Sequence, residues 1–322
     1  MPNYSGSWNL VQQMQAVAAS NWQFPLVPAG TVGIFAIGST ASPVSVSTRD
    51  KYTFSGCVVS TAASATSANR RGSAAGNSTV GIFHLGCIAP SCCTSATRNK
   101  YIYAGCLVSF GGSATAPAQT GSATGNSTVG IFALGYIGCV GPSTTRNKYT
   151  YSGCVNASST AASIASYAGS AAGNSTVGIF ALGNNPSFAS TTRDKYTYSG
   201  CVVSSGTNAS VASKLGSATG TCSVGIFALG RTCCSSLTTR NKYTYSGDTN
   251  GSATAASTAS YNGAAAGNST VGIFALGVAP SIKSTTRDKY TYSGCVVSSG
   301  TAASVASSQG SAASNGTTGV NV

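Results

Sequence analysis

A unit of roughly 47 residues recurs six times along this chain, and a period of that length makes each copy one supersecondary unit stacked on its neighbours. Each copy carries two cores. The first, most often Gly-Ile-Phe-Ala-Leu-Gly, begins at Gly33, Gly81, Gly130, Gly178, Gly225 and Gly272. The second, Thr-Arg-Asn/Asp-Lys-Tyr-Thr-Tyr-Ser-Gly in its commonest form, is marked by Arg49, Arg98, Arg146, Arg193, Arg240 and Arg287. No single copy can bury its apolar face alone, so the six must pack on one another.

One copy shows the local pattern. Ala168 to Asn174 is a run of small residues ending in a Gly-Asn turn signal. Val177 to Gly183 is an apolar run of strand length, suited to burial on both faces. After a variable link, Arg193 to Tyr198 alternates, with Arg and Lys on one side and aromatics on the other. Ser199-Gly200 turns the chain into an outer strand that starts at Cys201. Four short strands joined by tight links make an antiparallel meander, and meanders repeated at this period predict a β-propeller. A parallel β-helix needs shorter rungs, and a helical solenoid needs a 3.6-residue period that is absent.

The ends predict closure of a ring. The first apolar strand, from Gly33, lacks a preceding small-residue strand, and the missing piece, Gly310-Ser311-Ala312-Ala313-Ser314, stands at the other terminus. We therefore expect an all-β fold, a six-bladed β-propeller of residues 31–322 closed by its C-terminal strand. The strand order of the unit resembles the kelch repeat, with the double glycine of that family reduced to Leu-Gly and its outer Trp missing. The variant is most similar to propeller repeats of tailed-bacteriophage proteins. Residues 1–30 lie outside the repeat. Trp8, Val11, Met14 and Trp22 fall at helical spacing, which predicts a short helix near residues 7–20, either packed under the propeller or docking it to a larger assembly. The stretch from Ser7 to Ala16 resembles the N-termini of phage virion proteins. That resemblance implies attachment to other virion proteins and location in a virion. The N-terminus lacks the basic flank and uninterrupted apolar core of a secretory signal, so synthesis in a host cytoplasm without a signal peptide is expected.

Net charge is +13, which ordinarily points to a polyanion. Twelve of the 17 basic residues are the Arg-x-Lys pairs, and Asp50, Asp194 and Asp288 lie inside those pairs. The charge thus belongs to the repeat. Arg offers five fixed donors and a stacking face, so a residue present in every copy is read first as packing between copies, and as a basic ring second. Nucleic acid is not expected as a partner on this reading, and no apolar run approaches a membrane span.

Candidates for chemistry are few. The four acids do not form a general acid–base pair, and His84 stands in an apolar strand where its siblings are Ala. The serines have no base to activate them. We expect no enzyme, no cofactor and no metal. Five of the 12 cysteines, Cys57, Cys106, Cys154, Cys201 and Cys295, occupy one repeat position, where Asp248 stands in the fifth copy. They read as half-buried thiols, as disulfide partners or as metal ligands, in that order. The Asn-x-Ser/Thr sequences at Asn77, Asn126, Asn174 and Asn268 are explained by turn chemistry.

Comparison of the copies points to a site. The links between strands two and three and the links between units vary, and in a meander both emerge at the same end. The links at the other end hardly change. Binding concentrates in loops on a rigid scaffold, so we expect ligand contacts from Tyr136, Tyr167, Phe188, Tyr261, Arg70, Arg71 and Lys214. The expected function is non-enzymatic display of the propeller for adhesion to a host-surface glycan or receptor. The alternative is an architectural spacer of a capsid, tail or filament, and a third is a cellular kelch-type scaffold or lectin.

Overall fold

The structure, a computed structural model, describes residues 30–40, 44–89, 93–104, 107–153, 155–186 and 188–316. Regular structure there is all β: six four-stranded and two three-stranded antiparallel sheets. In the copy read above, the strands are Ser170–Gly173, Val177–Ala181, Arg193–Thr197 and Val202–Gly206, in that order across the sheet. Small residues form the innermost strand because six such strands converge. Ser73–Gly76, Ser122–Gly125, Ser170–Gly173, Ser217–Gly220, Ala264–Gly267 and Ser311–Ser314 pack side by side in a closed cycle. The expected closure is present: Ser311–Ser314 pairs antiparallel with Val32–Ala36, so the first sheet holds both ends of the ring.

The core lies between sheets. Val80 and Ile82 of one sheet pack with Phe132, Tyr149 and Tyr151 of the next, and equivalent clusters recur at other seams. Burying each such Phe or Ile contributes roughly 1.5–3 kcal/mol. Close approach explains the glycine that opens the first core. A Cβ on Gly178 would stand 2.6 Å from Thr124 of the neighbouring sheet and 2.8 Å from the Tyr198 hydroxyl.

Each seam is riveted by the repeat arginine. All six guanidinium groups are buried and stack 4.5–4.7 Å above the Phe of the next sheet. Nη2 then donates to the residue that follows the next sheet's own repeat arginine. Arg146, Arg240 and Arg287 meet Asp194, Asp288 and Asp50 at 2.8 Å. Arg49, Arg98 and Arg193 meet Asn99, Asn147 and Asn241 at 3.1–3.2 Å. Burial lowers the pKa of these last three arginines to about 10, which leaves them charged at neutral pH. The packing reading of the repeat arginine is thus the correct one: the most regular part of the +13 charge is buried in seams. The lysine two residues on is half-exposed in every copy.

The turn asparagines act as predicted and do more. Asn126 Oδ1 accepts from the Thr128 and Val129 amides, while Nδ2 donates to the Ser175 carbonyl of the next sheet. The turn residue is therefore also a clip between sheets.

Two expectations need correction or placement. The repeat predicts six sheets; the described residues form eight, because two links form three-stranded sheets of their own, Asn69–Arg70 with Cys87–Ile88 and Cys93–Thr94, and Ala118–Gln119 with Tyr136–Ile137 and Gly141–Pro142. Short runs of two residues pair here because both classes of variable link run side by side. The expected N-terminal helix, with Trp8, Val11, Met14 and Trp22, lies outside the described residues.

Candidate functional site

The small sheets are the fullest form of a device found at every copy. The residue three before each unit's first strand pairs with the third residue after its second strand: Arg70 with Cys87, Gln119 with Tyr136, Tyr167 with Asn184, Lys214 with Arg231, Tyr261 with Val278, and Ser308 with Ser39. The two variable link classes are therefore one surface.

The next residue in each unit turns inward. Arg71, Thr120, Ala168, Leu215, Asn262 and Gln309 all adopt positive φ, between 53° and 59°. In that conformation each amide points around the axis. It donates to the carbonyl of its counterpart in the preceding unit, and the six bonds, 2.7–2.9 Å long, close into a ring when Arg71 donates to Gln309. A left-handed residue that is not Gly costs about 1–2 kcal/mol, and the hydrogen-bonded ring offsets it. A glycine follows at all six places; at Gly169 a Cβ would lie 2.2 Å from the Ala181 carbonyl oxygen.

Above the ring opens an axial cavity of about 400 Å³. Three tyrosines line it. Tyr136 and Tyr167 meet edge to face at 5.7 Å, and the Arg231 guanidinium lies 4.8 Å over the Tyr261 ring. The Tyr167 hydroxyl accepts from Asn184 Nδ2 at 2.7 Å, which fixes its ring. Arg71 donates to Gln119 Oε1 at 3.3 Å, leaving most of its donors for a guest. Thr120, Asn262 and Gln309 add polar groups to the floor, and Gln309 Oε1 has no hydrogen-bond partner. None of the chain's four acids stands here, since three bind buried arginines and Asp248 binds Lys195 elsewhere. The cavity therefore combines aromatic faces, amides and two cations without a carboxylate.

Of the residues singled out from sequence, Tyr136, Tyr167, Tyr261 and Arg71 come together in this lining. Phe188 is 75% exposed on its link and does not line the cavity. Arg70 and Lys214 sit in the paired links outside the lining, although Gln119, Tyr167 and Tyr261 at the equivalent position line it. Sequence reading passed over Arg231, Gln119, Thr120, Asn262 and Gln309. Their signal was present: each stands beside a variable position, and four immediately precede or nearly precede the glycine that opens a unit.

His84 is buried, its Nε2 is 2.8 Å from the Ser95 carbonyl, and burial lowers its pKa to about 4. It is a packed, neutral core residue. Among the described residues no three His, Cys, Asp or Glu side chains cluster as metal ligands, and Cys57, Cys201 and Cys295 are free thiols.

No family model matches the chain, and no curated protein matches it. Among solved structures, the crystal structure of TolB from Acinetobacter baumannii is similar over 89% of this chain and 67% of that one, with a TM-score of 0.56 at 10% identity. Identity this low speaks to the fold alone: the chain has a β-propeller-type architecture, and its function must be argued from its own site.

Proposed function

We propose that this chain is a non-enzymatic binding propeller, six-bladed and kelch-like, whose axial cavity takes a saccharide unit of a host-surface glycan. The blades are the six four-stranded sheets, and the two small sheets belong to the binding face. The observation that carries the reading is the convergence of Tyr136, Tyr167 and Tyr261 with Arg71 and Arg231 in one cavity. Aromatic faces pack on the apolar faces of sugar rings, while amides and guanidinium groups bond hydroxyls and acidic substituents. A volume near 400 Å³ is in the range of small-molecule sites. The uncompensated arginines favour an acidic sugar. The phage-virion setting rests on the resemblance of the repeat and of residues 7–16, and copies on one particle would convert weak contacts into avidity.

The architectural alternative has its own support. Val58, Val202 and Val296 repeat on outer strands at 55–56% exposure, a pattern suited to lateral contact. Binding of the purified full chain to acidic and neutral host polysaccharides separates the two. Adhesion requires measurable binding that Tyr167→Ala and Tyr261→Ala each weaken about tenfold, the equivalent of roughly 1.4 kcal/mol. Absence of binding to host cells and to their polysaccharides, with incorporation into particles intact, leaves the architectural role.

A further inference from the structure

At the end of the ring away from the cavity, the turn after the third strand places one residue in a built slot at four described positions. Cys57, Cys201, Asp248 and Cys295 hold it with φ between 48° and 50°. The slot straddles a seam. A Thr hydroxyl of the preceding sheet donates to the slot residue's carbonyl, as Thr301 does to Cys57 and Thr207 to Asp248. The repeat lysine of the preceding sheet reaches the side chain: Lys289 Nζ is 3.6 Å from Cys57 Sγ, and Lys148 Nζ is 3.9 Å from Cys201 Sγ. On the other side the Cys57, Cys201 and Cys295 thiols lie 3.8–4.0 Å from the carbonyl of the residue three earlier.

The fifth copy reveals what the slot accommodates. Asp248 receives Lys195 Nζ at 2.7 Å and the Tyr243 hydroxyl at 2.8 Å. The same surroundings that bind a carboxylate there face a thiol at the sister seams, and all three described thiols are half-exposed. A thiol beside an ammonium group and open to solvent is the arrangement that favours nucleophilic sulfur.

We propose that Cys57 and Cys201 are modification sites, lysine-paired thiols that react with peroxides and other soft two-electron electrophiles. With hydrogen peroxide, Sγ attacks one oxygen, the S–O bond forms and the O–O bond breaks. The thiol proton, relayed through the lysine amine, leaves with the departing hydroxide as water, and the product is a sulfenic acid. A second peroxide adds the second oxygen in the same way, releasing water and a proton. The resulting sulfinate carries two oxygens and one negative charge, as the Asp248 carboxylate does, so Lys289 holds it as Lys195 holds Asp248. Oxidation thereby converts a thiol seam into an ion-paired seam. This inference does not depend on what the axial cavity binds.

The test is site-resolved alkylation of the reduced full-length chain by iodoacetamide, followed by peptide mass spectrometry. Cys57 and Cys201 should react about tenfold faster than the more exposed Cys139 and Cys222. Lys289→Met should slow Cys57 to the rate of Cys139 and leave Cys201, at another seam, unchanged. Peroxide treatment should add two oxygens to the Cys57 peptide first. Cys57→Asp should fold and melt at or above the wild-type temperature. Rates that simply follow exposure, or a Cys57 rate indifferent to Lys289→Met, overturn the proposal. If Lys289→Met does not fold, the wild-type ranking alone decides, and a Cys57→Asp chain that fails to fold refutes the anion-accepting slot.

Discussion

Removal of one rivet cation at the ring's closing seam gives a quantitative test of how the propeller is held shut. Arg287 is 1% exposed and donates to Asp50 at 2.8 Å, while Asp50 also accepts from the Ser304 amide at 3.0 Å and the Ser304 hydroxyl. Arg287→Met keeps much of the packing over Phe35 but leaves Asp50 buried without its cation. Breaking a buried pair from one side costs about 3–5 kcal/mol. The molecule carries its own control, since Arg49 makes the same stack but donates to neutral Asn99. Arg49→Met removes a charged donor without stranding an anion, which costs about 1.5–3 kcal/mol. Asp50→Asn should be milder still, about 1 kcal/mol, because the seam hydroxyl serves either partner. Ser304 donates to Asp50, whereas Thr66 accepts from Asn99 Nδ2. Urea unfolding followed by circular dichroism, with slopes compared among variants, measures all three. Equal losses for Arg287→Met and Arg49→Met, or an Asp50→Asn loss as large as that of Arg287→Met, would refute the reasoning.

Other outcomes follow from the same geometry. Thr221 replaces the turn asparagine in the fifth copy and bonds only within its own turn, so Thr221→Asn should restore the clip to the next sheet and add about 0.5–1.5 kcal/mol in the same unfolding assay. His84 has a folded pKa of about 4, below its unfolded value of 6.5; the unfolded chain therefore binds the proton first, and stability present above pH 6.5 is lost as pH falls toward 4. His84→Ala, the residue its siblings carry, should flatten that acid limb by up to about 1.4 kcal/mol per pH unit, measured as the pH dependence of the urea midpoint. Gly169→Ala drives a Cβ to 2.2 Å from the Ala181 carbonyl and should cost at least about 1–3 kcal/mol, read as a lower melting temperature, with the axial cavity distorted.

Much of this architecture was legible along the chain. The strand order of Ser170–Gly173, Val177–Ala181, Arg193–Thr197 and Val202–Gly206 follows the small, apolar, alternating and outer segments of one copy. Closure by Ser311–Ser314 was visible because the first unit lacks a piece that the last supplies. The axial lining was only half legible. Bulky side chains in variable links drew attention to Tyr136, Tyr167 and Tyr261, but also to Phe188, which faces solvent. Six lining residues reach the axis through the left-handed turn at the residue before each unit's glycine. No composition signal marks that turn, because Arg, Thr, Ala, Leu, Asn and Gln all occupy it.

The sequence by itself determined the repeated unit, the face that varies and the residue types available at every seam, since these are properties of a period and its exceptions. Only the tertiary structure decided which residues meet. Arg287 and Asp50 are 237 positions apart, and Arg71 and Gln309 stand at opposite ends of the ring's sequence. They touch because the ring closes. The same closure turns six unlike residues into one cavity floor and puts Lys289 against the slot of Cys57, far away in the sequence. Contacts between units are set by the rotation from one sheet to the next, a quantity that local patterning does not encode.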